Sequence, residues 1–166
     1  MASATTISVS EYLNTSYRPD RDYVDGELLE RNVGEFDHSR LQILVSGFLL
    51  NKEKEWGIIV VTEQRVQVKP RRFRIPDVTV LLERPQTGMV TEPPLLCIEI
   101  LSPDDRMAGM QERIDDYLAF GVHTVWVIDP QTRRAHIYMR DRYIDVTDGI
   151  LKVEGSPVSI NLNDLP

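Results

Sequence analysis

Apolar and polar positions change rhythm several times along this chain, and each change marks an element. Leu41, Leu44, Val45, Phe48 and Leu49 recur at i, i+3, i+4, i+7 and i+8, one face of a long helix. Asp37 is placed to cap its start, and a charged stretch followed by Gly57 marks its end. The period then shortens. "GIIVVTEQRVQV" (57–68) is β-branched and then alternates, which predicts a strand. "RRFRIPDVTVLL" (71–82) predicts another, entered through Pro76, whose missing N–H suits a strand start or edge. "LLCIEIL" (95–101) is apolar at six of seven positions and reads as a strand buried on both faces. "SPDDR" turns the chain into a second helix running to about Phe120, with Ser102 and Asp105 as its caps and Gly121 as its stop.

"TVWVIDP" (124–130) is a buried strand, with Trp126 in the core and Asp129 capping its end. "RAHIYMR" (134–140), "YIDV" and "ILKV" are short alternating strands, and Asp148-Gly149 has the composition of a tight hairpin turn. At the other end, Ser8 and Glu11 form a capping box that opens a short helix through Tyr12 and Leu13. "DYVDGELLE" (22–30) holds an Asp-Gly turn or bulge feeding a strand. The order predicts an α/β (α+β) fold: one mixed sheet with helices packed on it, and a single domain over residues 1–166.

Composition narrows the classes. At 166 residues one core can bury roughly 70% of the unfolded surface. The single cysteine excludes an internal disulfide framework and fits a reducing, cytoplasmic compartment. No signal-peptide pattern and no apolar run of ~18 residues is present, so neither secretion nor a membrane partner is expected. A net charge of −7 means that any nucleic-acid contact must rest on a local basic surface. "KPRRFR" supplies the candidates, Lys69, Arg71, Arg72 and Arg74; a charged strand edge protected from pairing is the alternative. There is no phosphate-binding Gly-rich loop, no GxSxG and no Cys/His zinc spacing.

The chemistry begins with Glu99 in the middle of "LLCIEIL". Strand alternation places it on one face with Cys97. An unpartnered buried carboxylate costs several kcal/mol or protonates instead. A cationic side chain, a hydrogen-bond network or a metal would keep it there; the plain alternative is a structural salt bridge or a strand end reaching water. Asp77 lies among β-branched residues in "RIPDVTV", and a hairpin between the two strands would bring both acids together. A divalent cation would relieve their repulsion. Mg²⁺ is commonly held by one or two carboxylates with waters completing its octahedron.

"RIPDVTV", then "PPLLCIEILSPDDR", then "YLAFGV" on a helix, then "VWVIDP" resemble the Uma2 family (formerly DUF820) of the PD-(D/E)XK, restriction-endonuclease-like superfamily. The resemblance runs from about Tyr12 to Ile144 and includes "YVDGELLE" and His38. It implies a core of order α-β-β-β-α-β with extra C-terminal antiparallel strands, and a Mg²⁺ (or Mn²⁺) site for hydrolysing DNA phosphodiesters. It further implies that Asp77 is the metal-binding Asp, Glu99 the second acid, and Glu27 an early acid near the same metal. The superfamily's lysine position, two residues after Glu99, holds Leu101. The family's alternative lysine, one helical turn before the tyrosine, corresponds to Arg113, four residues before Tyr117. Arginine keeps the charge needed to stabilise a phosphorane but cannot act as a base. The expectation is therefore a Mg²⁺-dependent, homodimeric endonuclease, or else a decayed nuclease fold serving as a binding module.

Overall fold

Six strands form the central sheet, in the order β10-β9-β8-β7-β6-β3. They are β3 (Ile59–Thr62), β6 (Val78–Leu81), β7 (Leu96–Ile100), β8 (Thr124–Ile128), β9 (Ala135–Tyr138) and β10 (Tyr143–Val146). All neighbours are antiparallel except β7 and β8, which run parallel and are joined by the helix α4 (Met107–Phe120). This is a computed structural model, and it describes residues 5–31 and 34–166.

The sheet is covered on both faces, which is why β7 and β8 are apolar at nearly every position. Helix α2 (Phe36–Asn51) lays Leu41, Val45 and Leu49 on Val78, Val80, Leu96, Ile98 and Ile100. Helix α4 lays Met110, Ile114 and Tyr117 on Cys97, Val125 and Val127. The order α2-β3-β6-β7-α4-β8 is the expected restriction-endonuclease-like core.

One expected mixed sheet is in fact three. The run 57–68 splits at Glu63, whose φ of 53° turns the chain between β3 and β4 (Val66–Lys69). The run 71–82 splits at Pro76, which has no N–H to continue a ladder, into β5 (Arg72–Arg74) and β6. Strands β4 and β5 join β1 (Asp22–Val24) and β2 (Glu27–Leu29) in a separate sheet of order β2-β1-β5-β4. Asp25 and Gly26, at φ of 50° and 99°, make the two-residue turn of the β1–β2 hairpin. Phe73 of β5 meets Tyr23 and the buried Tyr12 of α1 (Val9–Leu13), whose N-cap is Ser8 as expected.

Other local expectations change. Glu35, not Asp37, is the N-cap of α2, and Arg106, not Ser102 or Asp105, is that of α4. Asp105 instead accepts the Ser102 N–H at 2.7 Å in the turn before the helix. The Asp148-Gly149 turn does not close a β10–β11 hairpin. Strand β11 (Ile150–Lys152) pairs with β12 (Ser159–Asn161), a strand without a sequence signal strong enough to predict it, and this pair brings Leu151 and Ile160 into the α2-side core.

Candidate active site

The register of β6 against β7 pairs Val78 with Ile98. Continued one rung past the end of the ladder, that register leads to Asp77 and Glu99, and the Asp77 charge acts on the Glu99 carboxyl. Pro76 ends the ladder at this point, so the backbone N–H of Ile100 donates to Asp77 Oδ2 at 2.7 Å. The two acids expected to meet are thus brought together at the end of the central hairpin.

Glu99 is only 1% exposed. The Tyr117 hydroxyl donates to its Oε1 at 2.5 Å, and Arg113 Nη1 lies 3.6 Å from its Oε2. Both partners come from α4, where residues four apart share a face. Burial, with the Asp77 and Asp22 charges adding to it, pushes the Glu99 carboxyl up to about 8, against the pull of Arg113 and Tyr117. Tyr117 is at once buried core and hydrogen-bond donor to Glu99. Arg113 Nε also lies 3.7 Å from Asp22 Oδ2.

Asp77 faces a polar cleft of about 380 Å³, lined also by Arg31, His38, Gln42, Glu63 and Arg113. Arg31 Nη2 sits 3.2 Å from Asp77 Oδ1, and His38 Nε2 sits 3.3 Å from Asp77 Oδ2. The hydrogen bond to Asp77 raises the His38 pKa. Arg31 pairs with Glu63 as well, and Gln42 Nε2 donates to Glu63 Oε1 at 2.8 Å and to the Asp77 carbonyl at 2.9 Å.

Other expected site residues fall elsewhere. Glu27 is exposed on β2 beside the turn and does not line the cleft. Asp22, on the partner strand of that hairpin, is the acid that turns inward; it is buried, and burial raises its pKa. Of the basic group, Arg74 is only 2% exposed, its Nε 2.7 Å from Asp116 Oδ2 and its Nη1 3.2 Å from Asp22 Oδ2. Arg72 pairs with Asp116 and Asp25. These two arginines form an internal ion network between β5 and α4, so the structure corrects the expectation that they meet phosphate. Lys69 and Arg71 remain exposed.

Arg31, Asp22, Glu63 and the His38 contact were not foreseen. For His38 a signal existed, a titratable residue in the first turn of the helix that ends against Asp77. For Arg31 there was none, because its segment has no periodicity.

A helix-flanked mixed sheet, with Pro-Asp opening one strand and a buried glutamate opposite it in the next, defines a protein of the restriction-endonuclease-like class. The comparisons specify it further. The family model "Uma2: Putative restriction endonuclease" matches residues 10–161, and the chain belongs to the Uma2 family. A crystal structure described as a "putative nuclease belonging to DUF820", from Anabaena variabilis ATCC 29413, superposes with a TM-score of 0.81 at 21% identity, over 95% of this chain and 96% of that one. None of the curated proteins compared with the chain is similar to it.

Restriction-endonuclease-like families typically use a divalent metal, and the residues present fit one. Asp77 and Glu99 are hard oxygen donors on one face, and their mutual repulsion helps hold the Glu99 carboxyl high. No group of three or more His, Cys, Asp and Glu side chains is arranged to hold a metal among the described residues. Two carboxylates suffice for Mg²⁺, which keeps several waters.

Proposed function

We propose that the protein is a divalent-metal-dependent endonuclease that hydrolyses DNA phosphodiester bonds, with Mg²⁺ or Mn²⁺ held by Asp77 and Glu99. The observation that carries this reading is the Asp77–Glu99 juxtaposition, with Arg113 beside Glu99 and lining the same cleft. When bound, the metal would lower the pKa of a water and offset charge on the phosphoryl group.

The chain's own residues do the rest. Arg113 stabilises negative charge developing on phosphorus and, being permanently protonated, takes no proton. Tyr117 and Asp22 fix it and Glu99 in place. His38, paired with Asp77, holds a proton at Nε2 at the cleft wall. Lys69 and Arg71 remain the candidates for steering a DNA backbone toward the cleft. Glu27 is retained only as an outlying acid of the hairpin. The free, buried Cys97 fits work in the cytoplasm.

A homodimer accompanies this reading. Phe36, Ile43 and Leu50 of α2 are 80%, 61% and 56% exposed and spaced by seven, so they form one stripe opposite the core face. Antiparallel pairing of two α2 helices about Ile43 seats Phe36 on the partner's Leu50.

A second reading is favoured by Arg113 in the lysine position: a nuclease-fold module that binds without cleaving. Plasmid nicking by purified protein with Mg²⁺ or Mn²⁺ separates the two. Nicking lost in Asp77→Asn supports the enzyme; no nicking with either metal removes it.

A further inference from the structure

We propose that Arg31 is an internal counter-cation that competes with the divalent ion for Asp77 and thereby sets the metal affinity of the site. The proposal rests on the metal-site reading above and adds a residue that the family motif does not contain.

Asp77 is paired with the Arg31 guanidinium and the His38 ring before any metal arrives. Arg31 Nη2 lies 3.2 Å from one oxygen and His38 Nε2 3.3 Å from the other, which also accepts the Ile100 N–H. Neither pairing is a loose surface contact, since the side chains of Arg31 and His38 are 11% and 13% exposed. Burial alone would weaken the Arg31 charge, but Glu63, Asp77 and Glu99 more than offset it and hold the guanidinium charged.

A divalent ion on Asp77 would stand beside this fixed, largely buried positive charge. Like charges at such spacing repel strongly where water is scarce. One of the two cations must then withdraw.

The surroundings favour withdrawal by Arg31. Its second partner, Glu63, is anchored by Gln42, which also holds the Asp77 carbonyl. Arg31 can therefore leave Asp77 and stay paired on the cleft wall. Arg113 has no such alternative in the cleft, because its two partners, Asp22 and Glu99, are both buried. Arg31 also lies outside helix and strand, so its side chain can move without breaking a ladder.

The test is calorimetric titration with Mn²⁺ on the full chain, comparing wild type with Arg31→Ala, Arg31→Gln and Asp77→Asn. Glutamine keeps donors for Glu63 without the charge, and it serves if the alanine variant fails to fold. Both uncharged variants are expected to bind Mn²⁺ at least ~10-fold more tightly than wild type, and Asp77→Asn to give no heat. Binding by the Arg31 variants when wild type shows none equally supports the proposal. Equal or weaker binding by the variants, with wild-type binding still abolished in Asp77→Asn, overturns it and leaves the metal site intact. No binding by any of the four overturns both. Melting in EDTA supplies a second readout, since charge competition predicts that Arg31→Gln destabilises the metal-free protein and that adding Asp77→Asn restores much of the loss.

Discussion

Asp77 stands one rung beyond the Val78–Ile98 pair, opposite Glu99, and takes the Ile100 N–H with its own side chain. The acid therefore does two jobs, closing the end of a hairpin and presenting a second oxygen to the cleft. Asparagine can keep the first job and lose the second. Asp77→Asn is expected to fold with a melting temperature near wild type and to bind no Mn²⁺. Calorimetry beside a melting curve checks this; full Mn²⁺ binding by the variant would remove Asp77 from the metal site.

The raised Glu99 carboxyl makes stability depend on pH in a defined direction. Its ordinary value is 4.5 and its folded value about 8, so between these the native state binds the extra proton. Stability then falls as pH rises through that window. His38, also raised, contributes in the same direction, its share being lost as pH passes its folded pKa. In EDTA the melting temperature should drop from about pH 5 to about pH 8, and Glu99→Gln should flatten most of that drop. A divalent metal should flatten it too, because the ion stabilises the ionised acid. A melting temperature that climbs across this range would contradict the assignment.

Arg113→Lys asks whether the site lacks only a proton carrier. A positioned general base or acid contributes roughly 10²–10⁴-fold. If the arginine is what limits hydrolysis, lysine should raise the nicking rate by ~10-fold or more, with a new pH dependence. Arg113→Ala should be worse in every respect, since it removes the cation beside Glu99 and leaves Asp22 to Arg74 alone. Rates for the three forms across pH decide it, and a lysine variant slower than wild type would show that arginine suits this site.

The stripe on α2 leads to a measurement of mass. In the proposed dimer Ile43 would sit on the two-fold axis of the paired helices, so Ile43→Lys would set like charges against each other. Light scattering should fall from two chains to one. The melting temperature of the monomeric fold should hardly move, because the position is exposed. A wild type that is monomeric at high concentration would remove the interface.

Much of this was readable in the sequence where the signal is local. Helix α2 announced itself because Leu41, Val45 and Leu49 follow the helical period, and β7 and β8 because both faces are buried. Glu99 and Asp77 stood out as acids among apolar neighbours, whereas Arg113 came only from the resemblance, which places a cation one helical turn before Tyr117. The splits at Glu63 and Pro76 were hidden because strand composition continues through both, while a left-handed residue and a missing donor break the ladders. Asp22 and Glu27 look alike in "DYVDGELLE" and share a face of the hairpin; Asp22 is buried because β1 lies inside the sheet beside β5, whereas Glu27 sits on the edge strand β2. Arg31 and Glu63 meet through tertiary packing alone. The fate of Arg72 and Arg74 was half visible, since residues two apart on a strand share a face, as do Asp116 and, four residues earlier on α4, Glu112, whose Oε1 lies 3.3 Å from Arg74 Nη2 and 3.8 Å from Arg72 Nη1.

That last pairing divides "KPRRFR" into two functions that a DNA-binding assay and a melting curve tell apart. Arg74 is buried between Asp22 and Asp116, and its removal leaves Asp22 with Arg113 alone and Asp116 with Arg72, the bidentate centre of the network gone. Arg74→Ala should cost roughly 3–5 kcal/mol, the range for breaking a buried ion pair, and should lower the melting temperature before any effect on DNA is read. Lys69 and Arg71 are exposed, so Lys69→Ala and Arg71→Ala should leave stability within about 0.5 kcal/mol. If they contact phosphate, each should weaken DNA binding at every sequence and reduce the salt slope by about one. An Arg74→Ala protein as stable as wild type would mean that the internal network contributes nothing. An unchanged salt slope in the other two would place the DNA path on a different surface.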